Sequence, residues 1–251
     1  MVFGIFNPSN IFKNTIIGST LEEKAHYLFK EIYSYDDLKI NLYRALESDH
    51  NINILLVGPP ATSKTLFIRC IYENLKNCIY IDVANASGRG IIDNLYNNKN
   101  TKYILLDEID KLKKNEQSLL YNLLETGEVN VNLKSEKIRF KMNKPVVFGT
   151  SNSKERLAKP LFSRFQSYFL REYTDEEFIL VSENLLLSRF SFSSSVANII
   201  ANRLLLYGSK DIRKVIQIAK LIRKGDGERE VITIIDTFLR YQNEGESEYN
   251  Y

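Results

Sequence analysis

The sequence predicts an α/β fold: a doubly wound parallel sheet of five strands, followed by a small all-helical domain. Three observations carry that expectation. Short apolar runs recur up to residue 172: INILLV (52–57), CIYIDV (78–83), YILLDEI (103–109), PVVFGTS (145–151) and SYFLRE (167–172). Helical stretches lie between the first four of these runs, and a short turn-rich piece precedes the fifth. Strands that are apolar at successive positions and joined through helices belong to a parallel sheet covered on both faces. From Thr174 onward the strand-like runs stop, and amphipathic helical patterns take over.

Taken in order, residues 1–20 read as a lead-in. Helical spacing runs from about Leu21 to Tyr33 and again through YDDLKINLYRALES, where Leu38, Leu42 and Leu46 share a face. The run at 52–57 is followed by a helix from Lys64 to about Leu75, the run at 78–83 by one near GIIDNLY, and the run at 103–109 by EQSLLYNLLETG. In GEVNVNLKSEKIRFKMN (127–143), Val129, Val131 and Leu133 alternate with polar residues, and so do Ile138, Phe140 and Met142. Period two on both sides of a polar turn predicts a β-hairpin. Helices are expected at 174–187, 193–207, 210–223 and 229–242, with KGDGE as the turn before the last. The expected organisation is a lead-in (1–20), an α/β domain (21–172) carrying the hairpin, a helical domain (173–242) and an acidic tail (243–251).

Composition narrows the function. The chain of 251 residues is 44% apolar and 26% charged, enough for one or two compact domains. With 34 basic and 31 acidic side chains, the net charge of +3 argues against a polycation that coats nucleic acid, though not against local basic patches. Cys70 and Cys78 form no metal-ligand pattern with His26 or His50, so no metal other than Mg²⁺ is indicated. The apolar runs are far short of a membrane span, and MVFGIFNPSNIFKNT lacks the basic start and apolar stretch of a secretory signal. A cytoplasmic location is expected, in the host cell if the chain is viral.

The chemistry concentrates in LLVGPPATSKTLFIRC (55–70), which nearly spells the phosphate-cradling pattern G-x-x-x-x-G-K-[ST]. A strand must turn tightly into a helix there, so that successive backbone N–H groups face the phosphates. Gly58 supplies the first turn, and Pro59, Pro60, Ala61, Thr62, Ser63 and Leu66 complete the cradle around Lys64 and Thr65. Lys64 would reach the β- and γ-phosphates, and the Thr65 hydroxyl would ligate Mg²⁺. Ser63 stands where glycine is usual. Serine is small enough, and is costly only if that position needs positive φ. The second element is YILLDEID (103–110): Asp107, at the strand end, would hold Mg²⁺ and Glu108 would polarise the attacking water.

With both elements in this order, the chain resembles an AAA+ ATPase over residues 20 to 240. The resemblance implies ATP as substrate, Mg²⁺ as cofactor and a lid formed by the helical domain. VVFGTSN (146–152) is similar to the first sensor strand, which gives Asn152 a place near the γ-phosphate. PLFSRF (160–165) resembles the segment that carries the arginine finger, so Arg164 would reach a neighbouring subunit's site. GSKDIRKV (208–215) resembles the second sensor: Lys210 holds the basic position, a departure from the usual arginine, with Arg213 as the alternate. EIYSYDDL (31–38) resembles the adenine-packing segment, making Ile32 and Tyr33 the candidates there; ordinary core packing is the competing reading. The variant loop and the hairpin resemble the RuvB-like and MoxR-like branches, and small archaeal and archaeal-virus members, including those of crenarchaeal spindle-shaped viruses.

A finger acting across an interface implies a homo-oligomeric ring, and six subunits is the habit of that family. In the hairpin-bearing branches this insertion faces the pore or the rim, which would turn Lys134, Lys137, Arg139 and Lys141 into DNA contacts. The alternative is a solvated edge hairpin, where lysines discourage strand-to-strand aggregation. Three functions compete: a DNA-processing ATPase (initiator, helicase loader or branch-migration motor), a MoxR-like remodeller of a partner protein, and a slowly hydrolysing assembly switch. The basic hairpin favours the first, with a recruiting protein as a further partner. Against it, no winged-helix DNA-binding domain is expected after the lid, and Glu108 and Arg164 argue against the third.

Overall fold

The structure, a computed structural model, describes residues 20–50, 52–132, 137–223 and 225–248. The lead-in up to residue 19, residues 133–136 with the candidate Lys134, and residues 249–251 lie outside the described residues.

The described residues divide into two units: Pro60–Thr62 and the described chain from Arg171 onward form the second, and the other described residues the first. The first unit is built on a five-stranded sheet of β1 (Ile54–Val57), β2 (Cys78–Asp82), β3 (Tyr103–Asp107), β6 (Val146–Ser151) and β7 (Gln166–Phe169), in the order β2-β3-β6-β1-β7. Every pairing in it is parallel. The central strands β1, β3 and β6 are buried at every position, as their unbroken apolar sequences require. On the edge, β2 buries Ile79 and Ile81 and leaves Tyr80 exposed.

Two apolar cores cover the sheet. On one face Leu56, Leu105 and Phe148 meet α1 (Leu21–Leu28), α2 (Asp36–Glu47) and α3 (Lys64–Asn74) through Leu28, Leu42 and Phe67. On the other, Leu55, Ile104 and Val147 meet α4 (Gly88–Asn97) and α6 (Leu119–Thr126) through Ile91 and Leu123. The first helix ends at Leu28, short of the expected Tyr33: Ile32 donates its N–H to the Phe29 carbonyl in a turn, and Tyr35 caps α2 in the left-handed region. EQSLLYNLLETG, expected as one helix, forms α5 (Lys114–Gln117) and α6 with Ser118 between them.

The hairpin forms as β4 (Glu128–Asn132) and β5 (Lys137–Lys141), antiparallel, with Val129 opposite Phe140 and Asn130 opposite Arg139. Gly127, at φ 76°, turns the chain from α6 into β4; a Cβ there would stand 2.6 Å from the Met142 carbonyl oxygen. Buried Val129 and Met142 anchor the hairpin, and Phe140 meets Tyr96 edge-on at 5.4 Å. The second face, with Lys137, Arg139 and Lys141, is exposed.

The short α7 (Lys159–Phe162) precedes β7. The second unit is helical: α8 (Asp175–Phe190), α9 (Ser194–Leu206), α10 (Ile212–Ala219) and α11 (Glu228–Glu248). Thr174 opens α8 with a capping box, its hydroxyl accepting the Glu177 N–H while Glu177 accepts the Thr174 N–H. The last helix runs on to Glu248, beyond the expected end at 242. Among the described residues no helix is long and apolar enough to cross a membrane.

Candidate active site

The turn after β1 answers the question that Ser63 poses. Gly58 donates its N–H to the Ser151 carbonyl and lies so near β7 that a Cβ would sit 2.3 Å from the Leu170 carbonyl oxygen. No other residue fits there. Two loop residues lie in the left-handed region although neither is glycine: Ala61 at φ 65° and Ser63 at φ 61°. The position of the missing glycine therefore does need positive φ, and serine takes it at a cost of roughly 1–2 kcal/mol. Ser63 makes no side-chain cap to α3. Lys64 is only 6% exposed, and its Nζ donates to the carbonyls of Gly58 at 2.8 Å and Pro59 at 2.6 Å. The ammonium is thus held across the mouth of the turn. Ser63→Gly is expected to raise unfolding stability by about 1 kcal/mol, read as a higher denaturant midpoint at unchanged slope.

The carboxylates stand at the C-terminal end of β3, beside the end of β6. Pairing of Leu106 with Gly149 brings the two strand ends together. Asp107, 5% exposed, accepts from Thr65 Oγ1 at 3.2 Å and from the Thr150 hydroxyl on Oδ1, and from the Tyr80 hydroxyl at 3.0 Å on Oδ2. Glu108 sits at φ 57°, ψ 48° and donates its N–H to Thr150 Oγ1 at 2.9 Å. Its Oε1 accepts from Asn152 Nδ2 at 3.1 Å. Asn152 is fixed in turn, because its backbone N–H donates to Asp110 Oδ1 at 3.0 Å; the other oxygen of that buried carboxylate lies 3.9 Å from Arg156. Hard oxygen donors on Thr65 and Asp107 and a buried cation at Lys64 suit a Mg²⁺-nucleotide.

Three polar residues that sequence reading passed over belong to this framework. Thr150 bridges Asp107 and the Glu108 backbone. Gln117, fully buried, donates to the carbonyls of Leu112 and Arg156 and accepts the Ala158 N–H, clasping the chain after Asn152 to the chain after Glu108. Tyr80 is the third; burial and the adjacent Asp107 charge push its phenol upward, so the hydroxyl remains a donor. In the sequence Tyr80 is one member of a continuous apolar run, and only its exposure on the folded strand sets it apart.

Arg164 is paired within its own chain: Nη2 and Nε donate to Glu125 at 2.8 and 3.2 Å, Nη1 donates to the Pro160 carbonyl, and the guanidinium lies 5.4 Å from the Tyr121 ring. Ile32 is a core residue at 3% exposure, and Tyr33 is half-buried. In the second unit Lys210 Nζ meets Asp175 at 2.7 Å, and Arg213 forks onto Asp211. Lys210 and Arg213 line a pocket of about 460 Å³ with Tyr207, Asp211 and the loop residues Pro60–Thr62. On the hairpin, Lys141 approaches Glu128 at 3.9 Å, a loose pair on an exposed face.

The family model described as "ATPase family associated with various cellular activities (AAA)" matches residues 54–173. That segment spans β1 to β7 and includes Lys64, Asp107, Glu108, Asn152 and Arg164. Three single-substitution variants of RuvB from Thermotoga maritima share the fold, with TM-scores of 0.64, 0.62 and 0.59 at 21%, 20% and 19% identity. The alignments cover 83%, 83% and 88% of this chain and 72%, 71% and 69% of theirs. No curated protein matches the chain by sequence. The fold is thus RuvB-like, with a C-terminal helical region, and the match of residues 54–173 to the AAA model indicates an ATPase.

Proposed function

We propose that the chain is the subunit of a ring-forming motor of the RuvB-like or MoxR-like branches, six subunits to the ring, which spends ATP on processing DNA in replication or recombination. The observation that carries the ATPase chemistry is the clasp of Glu108 by Asn152 beside the Asp107–Thr65 pair. In this reading the loop N–H groups and Lys64 bind the triphosphate, Lys64 exchanging its two backbone carbonyls for phosphate oxygens. Thr65 and Asp107 hold Mg²⁺, which when bound screens the phosphate charge. Glu108 orients and polarises the attacking water, and Asn152 fixes the Glu108 carboxylate in place. Arg164 leaves Glu125 to neutralise transition-state charge in the adjoining subunit. Lys210 serves as second sensor, with Arg213 as alternate, and Tyr33 over Ile32 flanks the adenine.

The DNA role rests on the exposed face of β5. Repeated around a ring, Lys137, Arg139 and Lys141 form a positive collar that can follow a phosphate backbone, with Lys134 as a fourth contact. Replacing Lys137, Arg139 and Lys141 together by alanine is expected to weaken DNA binding at least about tenfold at low salt. The slope of log affinity against log salt should become shallower by about two to three, as loss of three phosphate contacts requires. Fluorescence anisotropy with duplex, single-stranded and junction DNA reads both. Affinity unchanged across the salt titration would favour a MoxR-like remodeller of a partner protein instead.

A further inference from the structure

Asp107 is gripped on both oxygens, and the two grips differ in origin. Thr65 and Thr150, on α3 and β6, engage Oδ1. Oδ2 is engaged from β2, where Tyr80 donates at 3.0 Å. In the β2–β3 register Asp82 faces Asp107 and Tyr80 faces Leu105, so Tyr80 stands on the same side of the sheet as Asp107 and diagonal to it, within reach of a long aromatic side chain. The phenol ring is braced by Tyr72 of α3, centroids 5.9 Å apart. A carboxylate held at one oxygen can still swing about its Cβ–Cγ bond; one held at both cannot.

We infer that Tyr80 is a positioning residue for the divalent cation: by holding Oδ2, it sets the carboxylate plane so that Oδ1, beside Thr65, is the oxygen presented to the metal. The inference rests on the proposed role of Thr65 and Asp107 as cation holders. Groups that orient a metal ligand from behind typically change metal affinity by about 10- to 100-fold when removed. Tyr80 is 36% exposed, so water replaces part of its bond, and a loss of about 3- to 10-fold is expected.

The test is a Mg²⁺ titration of binding of a fluorescent ADP analogue to the full chain, for wild type, Tyr80→Phe and Tyr72→Phe. Tyr80→Phe keeps the ring and removes only the donor. The expected result is a Mg²⁺ half-saturation point about 3- to 10-fold higher in Tyr80→Phe, unchanged analogue affinity in EDTA, and a wild-type Mg²⁺ response in Tyr72→Phe. An unchanged half-saturation point in Tyr80→Phe, or equal losses with and without Mg²⁺, overturns the inference while leaving the cation site standing. Wild-type binding indifferent to Mg²⁺ removes the cation site, and the role of Tyr80 with it.

Discussion

Glu108→Gln is expected to bind ATP as the wild type does and to hydrolyse it about 10²- to 10⁴-fold more slowly, the usual contribution of a positioned general base. The substitution is close to isosteric. Glutamine keeps a carbonyl oxygen able to accept from Asn152 Nδ2, so the clasp now 3.1 Å long survives. What disappears is the negative charge that draws a proton from water. Glu108 also bears a structural cost: its left-handed backbone, φ 57°, is worth roughly 1–3 kcal/mol of strain, and the N–H bond to Thr150 helps to hold it. Strain kept at a strand end beside the phosphate turn is what a working site, rather than a core position, gives reason to retain. Equilibrium ATP binding and steady-state phosphate release measured on the same preparation separate the two effects. Wild-type turnover in Glu108→Gln would take this carboxylate out of the reaction.

Arg164→Ala is expected to lower turnover about 10³- to 10⁵-fold, the range found for arginines lent to another subunit's phosphoryl transfer. The loss should not come from unfolding. The Arg164–Glu125 pair is exposed, its side chains 30% and 60% accessible, and such pairs contribute about 0–1 kcal/mol. That weakness suits a residue that must leave one partner for another. Glu125→Ala separates the roles: if the pair were the purpose of Arg164, both substitutions would act alike. The expectation is instead that Glu125→Ala leaves phosphate release within about twofold of wild type, since it removes only a weak surface pair.

The sheet was legible because its signals are local. ILLV, YILLD and VVFGTS are buried at every position, which is why they read as apolar runs. The Lys64, Thr65, Asp107 and Glu108 set was legible because its spacing is that of a strand, a turn and a helix. The rest depends on register and could not be read along the chain. Tyr80 and Thr150 reach Asp107 only because β2 and β6 flank β3, and nothing in CIYID or VVFGTS announces which neighbour each will have. Gln117 looked like one polar residue in a continuous amphipathic helix, yet its amide lies fully buried among backbone groups from two other segments. Ser63 is an intermediate case: the sequence posed the question of positive φ, and the backbone supplies 61°.

Mixing Glu108→Gln subunits with Arg164→Ala subunits tests the central claim most directly. Each variant alone should be nearly inactive. In a mixed ring, an Arg164→Ala subunit still has its own Glu108 and receives Arg164 from a Glu108→Gln neighbour, so about a quarter of the interfaces in an equal random mixture become complete. Recovery of ATP turnover toward that fraction, greatest near equal proportions, is the predicted result. A mixture as inactive as its components at every ratio would contradict catalysis shared between subunits.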